Sequence, residues 1–233
     1  MSLRVLVTGA ARAPHPQVAR RLLARGAGVV LAGAEGTAPP EGAPAAGGPC
    51  WVAPPGLGGP DLVAFARDRL DGLDALVHGD EGLDEAALLD RGALPDRVAE
   101  VFVGIHTLTA AAVAEMARRR VGRIVFLLSA EPGGTGPVLR AGKLALMRSL
   151  AAELQPLGIA CTALTLLPPA LAAAGRGSRR APPTPSWEQQ AELLDIALSP
   201  TLGLLVSGQH LGGGPDDPEA RPTDAGWRRV PSL

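Results

Sequence analysis

Seven short apolar runs recur along the chain: RVLVTG (Arg4 to Gly9), GVVLAG (Gly28 to Gly33), CWVA (Cys50 to Ala53), ALVHG (Ala75 to Gly79), RIVFLLS (Arg123 to Ser129), ACTALTLL (Ala160 to Leu167) and GLLVSG (Gly203 to Gly208). Their apolarity is nearly continuous and does not alternate, which is what a strand covered on both faces needs, so they predict the strands of a parallel sheet. Helical patterning lies between them, over Pro16 to Arg25, Asp61 to Leu70, Asp96 to Arg120, Pro137 to Leu157 and Trp187 to Leu198. Strand and helix taking turns predicts a doubly wound α/β sheet in a single domain, residues 1–213. Sheets of this kind bind ligands beyond the carboxyl ends of their strands, where the strand order reverses.

Two stretches break the alternation. Residues 33–48, GAEGTAPPEGAPAAGG, are so rich in proline and glycine that a helix there is unfavourable, at about 3 kcal/mol per interior proline, and a loop is expected. A compositionally biased surface insertion accounts for the same residues. The segment 214–233 is polar and proline-rich, with Trp227 beside Arg228 and Arg229, and reads as a frayed end or as an arm lying on a neighbouring subunit.

With 46% hydrophobic and 19% charged residues, 233 positions suffice for one substantial core. A net charge of -1 and 3% aromatic residues leave neither phosphate neutralisation nor base stacking, so nucleic acid is not an expected partner. No unbroken apolar run approaches the roughly 18 to 20 residues that span a bilayer, and LRVLVTG begins without a charged leader. The expectation is a cytoplasmic protein without a membrane partner. Cys50 and Cys161 have the spacing of neither a disulfide framework nor a zinc site; both are expected to be small buried side chains, and no metal is expected.

In order and spacing, VTGAARA, DALVHG, GRIVFLLS, AGKLALMRSLAAEL, GIACTALTLLPP and SGQHLGGG resemble the short-chain dehydrogenase/reductase family over nearly the full length. The resemblance implies a Rossmann-like fold, a nicotinamide cofactor, and a catalytic Asn, Ser, Tyr and Lys. In that set the Tyr moves the proton, the Lys lowers its pKa and holds the ribose, and the Ser positions the carbonyl. Carried over by position, Ser129 and Lys143 stand at the serine and lysine places, Leu139 at the tyrosine place and Val101 at the asparagine place. The chain contains no tyrosine at all.

The cofactor motif departs from the family in the same way. Its Gly-rich turn, T-G-x-x-x-G-x-G, reads TGAARAPH here: Thr8 and Gly9 remain, but Ala13 and His15 replace the other two glycines, and Pro14 and Pro16 remove backbone N–H donors from the helix start. After the second strand only Glu35 is available for a ribose, and the acidic residue that usually follows the third strand is missing from WVAPPG. The family's N-N-A-G becomes HGDE, so Asp80 and Glu81 would repel phosphate. The expectation is a degenerate member that binds neither NAD nor NADP.

The remaining polar residues each allow two readings. Lys143 shares a helix face with Leu139, Met147, Leu150 and Leu154. It is either a retained cleft residue beside Ser129 or an inherited lysine whose stem packs while its tip reaches an open groove. His15, His78, Asp80 and Glu81 are expected along the carboxyl edge of the sheet, as an alternative cleft with imidazoles titrating near neutral pH or as solvated loop groups. His106 and His210 read as structural. Arg176, Arg179 and Arg180 occupy the stretch where relatives carry a substrate lid, and would attract an acidic ligand or simply face solvent.

The leading expectation is a non-catalytic subunit or scaffold. It would pair with itself or with an active ketoreductase-type paralogue through the helices at 96–120 and 137–157, which are rich in small residues. The alternatives are a cofactor-independent lyase, cyclase or isomerase, and an atypical NADP-dependent ketoreductase.

Overall fold

Strands β1 (Arg4–Val7), β2 (Gly28–Leu31), β3 (Cys50–Val52), β4 (Ala75–His78), β5 (Gly122–Ser129), β6 (Ile159–Leu166) and β7 (His210–Leu211) form one sheet in the order β3-β2-β1-β4-β5-β6-β7. Every neighbouring pair is parallel. The computed structural model describes residues 2–10, 15–33, 36–40, 47–79, 94–129, 136–166 and 187–212. Ala13, Pro14, Glu35, Asp80, Glu81, Arg176, Arg179, Arg180, half of the 33–48 stretch and the 214–233 segment lie outside the described residues.

The helices are α1 (His15–Ala24), α2 (Gly59–Leu70), α3 (Leu94–Ala117), α4 (Gly136–Leu154), α5 (Trp187–Leu198) and the single turn α6 (Leu202–Leu205). Alternate strand residues feed two cores. Leu6, Val30, Leu76, Ile124 and Phe126 pack under α2, α3 and α4. Val5, Val7, Val29, Val77 and Val125 pack under α1 and α5. This two-sided covering explains the unbroken apolar runs. The order reverses between β1 and β4, so the carboxyl ends of those strands frame the switch point.

Three expectations change. The run Gly203 to Gly208 is not a strand: Leu202–Leu205 form α6, closed by Gly203 N to Ser199 O and Val206 N to Leu202 O, and Gly208 turns the chain at φ +80°. The seventh strand is the later pair His210–Leu211, in register with Ala163 and Leu164. The run is only partly covered, and Leu205 stays 70% exposed, so local i→i−4 bonds prevail over sheet pairing. The helix read as ending at Leu157 ends at Leu154, and a 3₁₀ turn follows over Gln155–Leu157. Finally, Val98–Ala117 of α3 is long and apolar enough to cross a bilayer, although the sequence shows no unbroken run there, and only 28% of that window is buried.

Candidate functional site

The switch point is tied together by backbone. Thr8 N donates to Val77 O at 3.0 Å, Ala10 N donates to Ala32 O at 3.2 Å, and the Thr8 hydroxyl accepts from Gly79 N at 3.1 Å. Gly9 takes φ +65°, in the left-handed region. A Cβ on Gly79 would lie 2.1 Å from Thr8 O, so only glycine lets the ends of β1 and β4 come this close. Thr8 and Gly9, the two retained cofactor positions, therefore hold the turn against the sheet.

Lys143 sits beneath this corner. It is 1% exposed, and its ammonium donates to Gly79 O at 3.0 Å. The open groove expected for its tip is not there: α4 points the residue inward, and the Gly79 carbonyl meets the charge in the interior. Leu139, one helical turn earlier, is 1% exposed and belongs to the same apolar cluster as Val101 and Met147. Ser129 ends β5 in register with Leu166, and its side chain lies outside the described residues.

His78, at the end of β4, is buried and shares a 2.8 Å hydrogen bond through Nε2 with the Thr109 hydroxyl of α3. Its ring stacks on Phe126 at 4.8 Å between centroids, with 18° between planes. Burial first, and the nearby charge of Lys143 second, push its pKa down to about 3. The expected near-neutral acid/base imidazole is thus corrected to a neutral ring with a structural bond. His15 does not border the edge as a loop group either: it opens α1 fully buried, on the same face as Val18, Ala19 and Leu22.

Thr109 is the partner that sequence reasoning missed. The available signal was its place on the inward stripe of α3 with Ile105, Ala112 and Met116, where a hydroxyl needs a bond. His210 is within β7, where its Nε2 shares a 2.7 Å bond with the Thr165 hydroxyl, and His106 lies on the exposed side of α3. Cys161 is buried and its thiol is pushed up to about 12 by burial, whereas Cys50 is only partly buried. Among the described residues no three His, Cys, Asp or Glu side chains group as metal ligands. A hollow of about 490 Å³ lies away from this corner, lined by Arg67, Asp68, Asp71, Gly72 and Glu115.

No protein-family model and no curated protein matches the chain. Solved structures do match. The TT0495 protein from Thermus thermophilus is 25% identical with a TM-score of 0.70, covering 90% of this chain and 96% of its own. A short-chain type dehydrogenase/reductase from Mycobacterium ulcerans is 23% identical with a TM-score of 0.70, covering 92% and 91%. The chain has the short-chain dehydrogenase/reductase fold. A halohydrin dehalogenase bound to ethyl (2S)-oxiran-2-ylacetate shares that fold at 22% identity and a TM-score of 0.68, covering 88% of this chain and 93% of its own. Within this fold, the Lys143–Gly79 bond and the His78–Thr109 bond fill the α3 and α4 side of the switch point with structural contacts.

Proposed function

We propose that this chain is a catalytically degenerate short-chain dehydrogenase/reductase, a cytoplasmic subunit or scaffold that assembles with itself or with an active ketoreductase-type paralogue and binds no nicotinamide. One observation carries the reading: where the family resemblance asks for a proton-transferring phenol there is Leu139, 1% exposed in the apolar core. A leucine has no proton to exchange, and no tyrosine exists elsewhere in the chain to replace it. Lys143 supports the same reading. Its ammonium is engaged with Gly79 O below the surface, which leaves it badly placed to hold a ribose. The buried His15 at the start of α1 stands where the family motif has a glycine, so close approach of a pyrophosphate is disfavoured.

The enzyme-without-nicotinamide reading draws on the halohydrin dehalogenase among the fold neighbours. It loses its best general base here, because the His78 ring is neutral and enclosed.

Titration of the purified protein with NADPH and NADH, followed by cofactor fluorescence and calorimetry, tests the proposal. No saturable binding is expected into the high micromolar range. Saturable micromolar binding, or stoichiometric consumption of NADPH with a ketone, would overturn it.

A further inference from the structure

The amino ends of the strands, opposite the switch point, carry an apolar face of their own. Of the six large apolar side chains left exposed among the described residues, four stand here: Val121 before β5, Leu157 before β6, and Leu202 and Leu205 on α6, between 38% and 70% exposed. Three segments are held side by side to make it. Gly122 and Ile159 are in register, Arg120 donates to Pro156 O at 3.1 Å, and Arg123 donates to Ser199 O at 2.9 Å and also to Pro200 O. A Cβ on Gly203 would lie 2.8 Å from Arg123 Nε, so α6 rests directly on that guanidinium with its two exposed leucines on the outside. The charge on this face has one sign. No Asp or Glu occurs in 117–122, 155–158 or 199–206, and the guanidiniums of Arg120 and Arg123 are met by carbonyl oxygens, which do not neutralise them. The acids along its border are already engaged: Asp74 by Arg4 and Arg119, Glu115 by Arg118, and Glu153 by the Ser149 hydroxyl.

We infer that this end of the molecule docks on a lipid surface bearing anionic headgroups, with the leucine-bearing turns entering the headgroup layer and Arg120 meeting phosphate. Apolar side chains beside unneutralised cations are what such a layer attracts: the leucines leave water, the Arg120 stem lies along the acyl boundary, and its planar guanidinium matches a phosphate. Arg123, itself buried, adds its charge to the attraction from beneath. A second copy does not fit, because a twofold contact through this face sets arginine against arginine with no acid between them. An acidic protein would satisfy the charge, but single protruding side chains from separate turns need matching hollows in a protein and none in fluid lipid. The contact is peripheral and leaves the carboxyl edge of the sheet, with the Lys143 corner, facing away. It departs from the expectation of no membrane partner, which rests on unbroken runs along the chain, because the face is assembled from three segments that no run joins. It also goes beyond the scaffold reading by saying where such a subunit sits.

Cosedimentation of the intact chain with vesicles provides the test. Binding is expected to vesicles of two parts phosphatidylcholine to one part phosphatidylglycerol, and to be on the order of tenfold or more weaker on phosphatidylcholine alone or at high salt. Leu205→Glu and Leu157→Glu, both at exposed positions and both checked by circular dichroism, are expected to weaken binding to the mixed vesicles by on the order of tenfold. Arg120 has φ +53°, which asparagine tolerates, so Arg120→Asn removes the charge without disturbing the turn and is expected to weaken binding several-fold. Val138→Glu, an equally exposed apolar position at the start of α4, leaves binding unchanged. Wild type that ignores the mixed vesicles, or binds neutral vesicles as well, overturns the inference, and so do Leu205→Glu and Leu157→Glu variants that bind like wild type. Soluble polyglutamate that binds as tightly as the mixed vesicles, with no dependence on Leu205 or Leu157, would assign the face to an acidic protein instead. An oligomer seen by light scattering and lost in Leu205→Glu would assign it to a second copy. The nicotinamide titration is unaffected by any of these results, so failure here is distinguishable from failure of the non-catalytic reading.

Discussion

Replacing Leu139 by alanine tests whether the former tyrosine position is closed core or open cleft. The side chain is 1% exposed and packs in the cluster that contains Val101, Leu144 and Met147. Removing three carbons at about 0.8 kcal/mol each loses roughly 2.4 kcal/mol of transfer free energy. The cavity left on an otherwise rigid helix raises the loss to about 3–4 kcal/mol. At about 2–4 °C per kcal/mol for a chain of this size, Tm falls by roughly 6–16 °C. The assay is urea denaturation followed by circular dichroism, in which the midpoint shifts while the slope stays constant. Leu205→Ala is the control: it makes the same chemical change at a position that is 70% exposed, and a change within about 0.5 kcal/mol is expected. A Leu139→Ala loss below about 1 kcal/mol, or one equal to that of Leu205→Ala, would show that Leu139 lines an accessible cleft, and the main support for a non-catalytic chain would fail.

Three further outcomes follow from the same geometry. The folded-state pKa of His78, about 3, lies below the ordinary histidine value, so its contribution is complete above pH 6.5 and is lost as pH falls from there towards 3. Between pH 7.5 and 5.5 the loss is about 1.4 kcal/mol in urea titrations, and His78→Gln should remove that increment; an unchanged slope would refute the buried neutral ring. Gly79→Ala would drive a Cβ to 2.1 Å from the Thr8 carbonyl oxygen and is expected to destabilise by at least about 2 kcal/mol, with faster hydrogen exchange at the Thr8 amide. Arg123 is buried and donates to the carbonyl oxygens of Ser199 and Pro200; Arg123→Met leaves both acceptors unmet and should lose about 2–3 kcal/mol, read from the urea midpoint, with exchange quickening around α5 and α6.

Much of the fold was legible because it depends on local pattern. A strand buried on both faces must be apolar throughout, so β1, β2, β4, β5 and β6 could be read directly from their runs. Helix periodicity likewise put Leu139, Lys143 and Met147 on one inward face of α4. The same pattern misled at Gly203 to Gly208, because an apolar run at the sheet edge is not obliged to pair, and backbone bonds to Ser199 and Leu202 wound it into a turn.

By itself, then, the sequence determined the alternating architecture, the absence of any tyrosine and the apolar helix face on which Lys143 stands. What those buried polar groups do was decided by tertiary structure. The Lys143 ammonium meets the carbonyl of Gly79 from another element, and His78 is neutral because Thr109, Phe126 and Lys143, each far away in the chain, enclose it. Desolvation and hydrogen bonding act through space between residues with no sequence relation, so a pattern along the chain can place a polar side chain in the core but cannot name its partner or its charge.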